Sequence, residues 1–333
     1  MRRNFLIFLI FPLTFFADLQ EQICELGAVN KHCDFGPNLR AARPCATWGF
    51  YASLEYLYWK TFQSGTEYAF SFAPPLLDGK SKEVAFDFDS GIRPGIGVTL
   101  PYDGWDLHLL YTYFRNSEKE DCQEASLFPL LAVPSIIQTT QVSRAKIDAT
   151  LRFQTLDLEI GRATFLSKAF IARPFFGPRI GWIDQELDLT YFTGAGYKVE
   201  IENAFWGGGV RAGSELTTLL GKGFFLNGEL ALSALWGDLS ITQKHRQDEV
   251  KVVDLTKEHT RMVPLVDLQA GIGWEIWFNE ARNHFAITFD YEMQYIWNIT
   301  QYARFPDNTT LNTVRVGKDI GIHGLTIKGR MDF

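Results

Sequence analysis

Residues that could carry out catalysis are few and scattered in this sequence. The six histidines are spread along the chain. Two of them share one predicted loop with two acids that could orient them: His245, His259, Asp248 and Asp254. The segment lacks a nucleophile-elbow motif and a fixed orienting partner, which acid–base or nucleophilic catalysis needs. We therefore expect no enzymatic activity, with an outer-membrane hydrolase as a minor alternative.

The cysteines are a second group of reactive side chains. Three lie close to the N-terminus and the fourth lies in a predicted polar loop: Cys24, Cys33, Cys45 and Cys122. Their spacing fits no zinc-binding pattern, so we expect neither a metal site nor a cofactor. In an exported chain they are candidates for disulfides, within the chain or to other envelope proteins. The sequence leaves their pairing open.

Charged side chains at alternate positions are the third chemical feature. If the apolar side chains between them face lipid, these charges face a lumen, where they could attract or exclude ions. The predicted pore-lining residues are Glu55, Asp87, Asp89, Arg93, Asp148, Arg152, Arg173, Arg179, Arg211, Glu229, Asp267, Glu275, Asp290 and Glu292. The alternative is structural, since opposite charges on neighbouring strands can pair and fill a small barrel. Acids exceed bases on this face, so an open lumen would prefer cations.

Strands must position these side chains, because the body of the chain alternates apolar with polar or small residues. A period of two is that of a β-strand whose faces meet different environments. The pattern predicts strands at residues 48–60, 84–100, 105–115, 145–163, 170–185, 204–218, 224–237, 262–278, 284–297 and 319–333. The alternation changes phase within 145–163, which predicts a β-bulge near Gln154 and Thr155.

The connections between these strands alternate strictly between short and long. The long ones are residues 61–83, 116–144, 186–203, 238–261 and 298–318. Short periplasmic turns and long extracellular loops are typical of outer-membrane barrels. The predicted fold class is therefore all-β, a transmembrane antiparallel up-and-down β-barrel of about 10 strands. Twelve strands are the alternative, if apolar pieces of 116–144 form two more. A secreted sandwich or lipocalin-like barrel explains the sorted connections less well.

Composition and the N-terminus indicate the compartment. The net charge of −7 argues against a nucleic-acid partner. A basic start followed by the apolar run Phe5–Phe16 predicts a signal peptide at residues 1–17. Residues 18–47 are then a cysteine-containing periplasmic segment or a plug, and residues 48–333 form the barrel. The expected location is the outer membrane of a Gram-negative bacterium.

Seven segments of the barrel region, taken in their order along the chain, point to a protein family. They are Trp48–Lys60, Gly104–Asp106, Leu156–Arg162, Arg173–Gly177, Trp182–Asp184, Phe205–Gly213 and Gly324–Phe333. Over about residues 46–333 this set resembles the Legionella-type major outer membrane proteins, a pore-forming family also found in chlamydia-related bacteria. The resemblance implies an outer-membrane barrel with porin-like activity and carries no catalytic residues.

The expected function is passive diffusion of ions and small hydrophilic solutes through a porin-like channel. The alternative is a structural or adhesive surface barrel without an open pore, which would use its long loops for contacts. The last predicted strand ends on Phe333, the terminal signal that the barrel-assembly machinery recognises. The expected partners are this machinery, outer-membrane lipid, and either a second copy of the chain or disulfide-linked envelope proteins.

Overall fold

A computed structural model describes residues 48–72, 79–101, 105–133, 141–167, 169–192, 196–248, 250–278, 283–304 and 314–333. The strands are β1 (Gly49–Gln63), β2 (Ala69–Phe72), β3 (Gly79–Lys82), β4 (Asp89–Thr99), β5 (Trp105–Pro129), β6 (Val142–Arg162), β7 (Thr164–Phe165), β8 (Phe170–Phe192), β9 (Gly196–Gly221), β10 (Phe224–Gln247), β11 (Val250–Phe278), β12 (Asn283–Arg304) and β13 (Val314–Asp332). No helix in these ranges is long and apolar enough to cross a membrane. The predicted signal peptide, the segment 18–47 and Cys24, Cys33 and Cys45 lie outside the described residues.

Ten strands close into an antiparallel barrel. The ring runs β1-β4-β5-β6-β8-β9-β10-β11-β12-β13, and β13 pairs with β1 to complete it. The hairpin of β2 and β3 attaches to the far end of β5, and the two-residue β7 pairs with β8. A closed ring satisfies backbone hydrogen bonds internally, as a bilayer requires. The ten-stranded prediction is confirmed, whereas the twelve-stranded alternative is wrong because Leu127 continues β5.

The barrel consists of two halves with opposite distributions of polar and apolar side chains, which β10 shows most clearly. From Phe224 to Trp236 its outward side chains are apolar and exposed, and Leu230 is 52% exposed. From Gly237 to Gln247 its outward side chains are polar, and Leu239 and Ile241 are buried inside. We call residues 224–236 and those that pair with them the turn half, because the short connections end it. Residues 237–247 and their partners form the loop half.

The predicted bulge in β6 is wrong. Its pairing with β5 runs unbroken through Gln154 and Thr155, and so does its pairing with β8. Odd-numbered residues point inward from Ala145 to Gly161. The chemistry of the inward face changes instead, from apolar up to Phe153 to polar from Thr155 onward, where the strand passes between the halves.

Most of the predicted long loops are strand. β5 has 25 residues and β11 has 29, far more than the roughly 9–11 that a tilted strand needs to cross a bilayer. The segments 116–144, 186–203 and 238–261 largely continue strands into the loop half. Cys122 accordingly lies within β5, half-buried, and not in a loop. The β9–β10 connection is short, as predicted; Gly221 and Gly223 have positive φ at this turn, a conformation that favours glycine.

The end of β12 separates from β11 in the loop half, while Thr300–Arg304 stay paired with β13. The pairing of β11 with β12 ends at Leu265 and Ile296, and Asn298 has a φ of 53°. From Ile299 to Tyr302 four consecutive side chains are buried, which a strand in the wall would not show. Residues 299–303 therefore run across the loop half, and we call them the crossing segment.

Candidate functional site: the interior of the barrel

Ion pairs fill the interior of the turn half, which we call the polar lumen. Arg93 on β4 lies between two acids from different strands. Its Nη1 is 2.6 Å from Glu55 Oε2, and its Nη2 is 2.7 Å from Glu292 Oε1. Lys328 Nζ is 3.4 Å from the other oxygen of Glu55, and the Trp59 ring centroid lies 5.2 Å from the Arg93 guanidinium. All the ring strands that carry these residues meet on one side of the lumen.

A second group of ion pairs lies across the lumen. Arg179 donates to Asp157 at 2.5 Å and to Asp267 at 2.8 Å, and all three side chains are buried. Asp267 also accepts from Arg211 Nε at 3.2 Å. One aspartate therefore links two arginines from adjacent strands.

Arg211 extends this group toward the turn end. It pairs with Glu159 and, at 2.5 Å, with Glu229. Glu159 also accepts from Arg173 at 3.2 Å, and Arg173 donates to Asp106 at 2.9 Å. The charges thus form a connected network and are not isolated pairs.

Inward glycines make room for this packing. A Cβ on Gly97 would lie 2.0 Å from the Tyr51 ring, and one on Gly273 would lie 2.2 Å from the Phe225 ring. These glycines leave no gaps in the lumen, because aromatic rings from neighbouring strands occupy the space. The cavities that remain among the charges are about 30 and 40 Å³, enough for ordered water but not for a solute.

Above the charges the interior becomes apolar. A cluster that we call the apolar layer includes Trp59, Phe114 and Phe153, each at most 1% exposed. The Trp59 and Phe114 rings contact edge to face at 5.4 Å. Nine of the ten ring strands contribute to this layer, all except β4. It closes the lumen at the boundary between the halves.

The crossing segment begins in the apolar layer with Ile299, and the rest of it is held above the layer by side-chain amides and by backbone pairing with β13. Thr300 donates to Gln185 at 2.6 Å. Gln243 forms two hydrogen bonds with the backbone of Ala303, at 2.9 and 3.0 Å. These amides were missed at the sequence level. Gln185 occupies an inward position between Ile183 and Leu187, and Gln243 follows the inward Ile241 by two residues. This spacing of two from inward apolar residues is the signal that could have revealed them.

A further apolar cluster fills the rest of the loop half. It contains Tyr191, whose hydroxyl donates to the backbone oxygen of Tyr68, and Tyr197, whose hydroxyl lies against His245. Burial raises the pKa of Tyr197 to about 12. His245 contacts the Tyr197 hydroxyl at 2.7 Å, and burial lowers the pKa of His245 to about 4, so its imidazole is neutral at pH 7. The loop half therefore resembles the core of a soluble protein.

Most predicted pore-lining residues lie where they were expected. Those that face the polar lumen are Glu55, Arg93, Arg173, Arg179, Arg211, Glu229, Asp267, Glu275, Asp290 and Glu292. Asp89 is half-buried at the start of β4, opposite Trp59. The remaining three do not face the lumen.

The inward positions predicted for Asp87, Asp148 and Arg152 are wrong. Asp87 is exposed in the segment before β4. Asp148 and Arg152 point outward from the loop half, where they pair with Lys119 at 2.5 Å and Glu186 at 3.1 Å. The reason is the inverted pattern of that half, in which polar residues meet water outside.

The turn end of the lumen carries a buried histidine that sequence reasoning did not assign. His284 Nδ1 is 2.8 Å from Asp332, its Nε2 is 3.2 Å from Glu275, and its ring stacks against Trp277. In the described ranges, no group of three or more His, Cys, Asp or Glu side chains could hold a metal ion.

The four residues of the suggested hydrolase site do not assemble. The His245 ring contacts Tyr197 and Gln243, and neither is an acid. Asp254 pairs with Lys251, and Asp248 accepts from the backbone of Gly196. The short β10–β11 connection spreads them along two strands.

The family comparison agrees with the motifs in the sequence. The family described as "Legionella pneumophila major outer membrane protein precursor" matches residues 42–333. No curated protein sequence matches the chain significantly.

Solved structures with a similar fold are distant. The outer membrane protease OmpT from Escherichia coli is 8% identical, with a TM-score of 0.43 over 87% of this chain and 99% of OmpT. A major outer membrane protein from Thermus thermophilus is 10% identical, with a TM-score of 0.31 over 86% and 100%. The toluene transporter TodX of Pseudomonas putida is 12% identical, with a TM-score of 0.28 over 86% and 89%.

The expectation that the chain has no enzymatic activity is corrected by this comparison. The finding that overturns it is that an outer membrane protease is among the similar solved structures. The similarity is too distant to assign a reaction to this chain.

Proposed function

The chain belongs to the family of Legionella-type major outer membrane proteins of the bacterial outer membrane, and we propose that it is a gated channel. The solutes are ions and small hydrophilic molecules, which cross by passive diffusion. The path follows the polar lumen, and the lumen is closed in this conformation.

The observation that supports a path is the polarity of the turn-half interior. Buried ion pairs are poor stabilisers, because desolvation of both charges offsets most of their attraction. The loop half shows that this chain can fill the same barrel with apolar side chains. The charges in the turn half therefore suit contact with water and ions better than they suit stable packing of the interior.

The observation that supports gating is the apolar layer. A layer of buried apolar side chains excludes water and blocks ions. The crossing segment covers it and is held by the amides of Gln185 and Gln243. Release of this segment opens the loop half above the layer. Because acids exceed bases among the lumen residues, the open state favours cations.

A surface barrel without an open pore is the second candidate. The filled loop half favours it, because a strand extension with an apolar core presents a rigid outer surface for contacts. In this case the ion pairs only complete the filling of the turn half. The two candidates differ in one property, which is whether the purified protein ever conducts.

The N-terminal region belongs to the same proposal. Residues 1–17 act as the signal peptide, and residues 18–47 remain in the periplasm or enter the turn end as a plug. Phe333 provides the contact for the assembly machinery. Disulfides of Cys24, Cys33, Cys45 and Cys122 link this region to itself or to envelope partners.

Planar bilayer recording tests the channel. The mature protein should give rare openings with a cation-sign reversal potential under a salt gradient. Gln243→Ala should open more often because the crossing segment loses two hydrogen bonds. Thr242→Ala, the outward neighbour on the same strand, is the matched control. A version lacking residues 18–47 tests the plug. An absence of openings in every version would leave the surface barrel.

A further inference from the structure

A cavity of about 700 Å³ lies on the outer surface of the barrel, where the turn half meets the loop half. It spans β8, β9, β10 and β11. The cavities among the charges of the polar lumen are only about 30 and 40 Å³. A volume of several hundred Å³ is typical of a small-molecule site. Nothing in the channel proposal uses this outer cavity.

The cavity residues on the side of the turn half combine aromatic and acidic side chains. Trp182 lies directly opposite Trp206, and Trp206 lies opposite Asp238. Asp238 accepts a hydrogen bond from the Thr260 hydroxyl at 2.7 Å, which leaves its second oxygen for a ligand. Trp206 is 58% exposed, so one face of its indole is accessible.

The cavity residues on the side of the loop half explain why the space is open. Two acids stand at its ends, Asp184 on β8 and Glu258 on β11. Between them lie Ala204 and Ser240, paired across β9 and β10. Small side chains between larger ones leave the space open, as a binding site requires.

The charge in the cavity is one-sided. The residues that line it include three carboxylates and neither lysine nor arginine. Arg152 lies opposite Asp184 but contacts Glu186 at 3.1 Å. Burial raises the pKa of Asp184 and outweighs the opposite effect of Arg152, so a further positive charge in the cavity would favour its carboxylate form. A phosphate or other anion would be repelled here.

We propose that this outer cavity binds an organic ammonium group. The indoles of Trp182 and Trp206 provide aromatic faces for a cation, and tryptophan is the best side chain for that contact. Asp184, Asp238 and Glu258 balance its charge. The cavity lies at the level of the interfacial tryptophans, so the ammonium could belong to a soluble amine or to a lipid headgroup.

Calorimetric titration with choline chloride tests the site. The full mature chain is used in a polyoxyethylene detergent, which has neither an amine nor a sugar, and sodium chloride and glucose serve as comparison ligands. Choline should bind saturably. Trp206→Ala and Asp238→Asn should each weaken it about tenfold, through loss of the cation–π contact or of the opposite charge.

Matched variants separate the cavity from general surface effects. Trp236→Ala removes an outward indole that is 64% exposed on the neighbouring strand but does not line the cavity. Glu202→Gln removes an exposed acid from β9 outside it. Both should bind choline like the parent protein. The proposal would be overturned if Trp206→Ala and Asp238→Asn bound choline as tightly as the parent protein, if glucose bound as tightly as choline, or if choline gave no saturable heat.

Nanodiscs distinguish the two sources. The titration is repeated in phosphatidylglycerol alone and in an equal mixture with phosphatidylethanolamine. Weaker choline binding in the mixture identifies the lipid ammonium as the occupant. Unchanged binding identifies a soluble amine.

Discussion

The two halves of this barrel are built from the same strands yet solve opposite problems. In the turn half the outside must match lipid, so apolar side chains point outward and Arg93, Arg179 and their acids fill the inside. In the loop half the outside meets water, so Asp148 and Arg152 point outward and Phe153 packs inside. The strand period is the same throughout. The solvent around the wall decides whether the outward or the inward positions are polar.

The difference also indicates which interior is functional. An apolar core stabilises a barrel more simply than a buried charge network does, since ion pairs must recover their desolvation cost. A chain that builds an apolar core in one half and charges in the other has retained the charges for another reason. The channel proposal depends on this contrast.

Removal of one partner of a buried pair should have the largest effect. Arg93→Leu leaves Glu292 buried without its cation and Glu55 with Lys328 alone, which should cost about 3–5 kcal/mol. Arg152→Leu, on the outer face of the loop half, should change stability by less than about 1 kcal/mol. Urea unfolding in lipid, followed by tryptophan fluorescence, measures both. Similar losses in the two variants would contradict the assignment of faces.

An outward lysine should separate the halves along a single strand. Leu230→Lys places a charge against lipid near the middle of the turn half and should cost about 2–4 kcal/mol. Thr242→Lys, twelve residues later with the same parity, should be nearly neutral because it meets water. The same unfolding assay applies to both. A costly Thr242→Lys would place the loop half in the membrane.

Acidification should loosen the loop half through His245. Its pKa is about 4 in the fold against about 6.5 when exposed, so the unfolded form binds the extra proton. Stability from this group is full above pH 6.5 and falls as the pH drops toward 4, by about 2 kcal/mol at pH 5. Hydrogen exchange of the β10 amides between pH 7 and pH 5, corrected for intrinsic rates, measures the loss. His245→Gln should remove this pH dependence, and an unchanged dependence in that variant would assign it elsewhere.

The sequence predicted the turn half well and the loop half poorly. Alternation along Phe285–Trp297 was strong because aromatic and aliphatic residues meet lipid there. Leu187 and Leu189 alternate just as regularly with Glu186 and Asp188, but acids at alternate positions suggested a loop. In β6 the same alternate positions point inward in both halves, but their side chains change from apolar to polar between the halves. From the sequence alone this change predicted a bulge.

The interior site was predictable in kind but not in detail. Alternation placed Arg93 and Glu292 on the inner face, yet 199 residues separate them in the chain, and only barrel closure brings them together. The gate was not predictable. Its crossing segment depends on a departure from the wall at Asn298, whose positive φ leaves no trace in the alternation of its neighbours.

The central claim is that ions cross through the polar lumen. Reversal potentials under a salt gradient test it most directly, in the mature protein, in Glu229→Lys inside the lumen and in Glu186→Lys on the outer face of the loop half. Both substitutions change the net charge equally. A shift toward anions in Glu229→Lys alone is the predicted result, because only its side chain lines the path. Equal reversal potentials in all three proteins, or an absence of current, would contradict the claim.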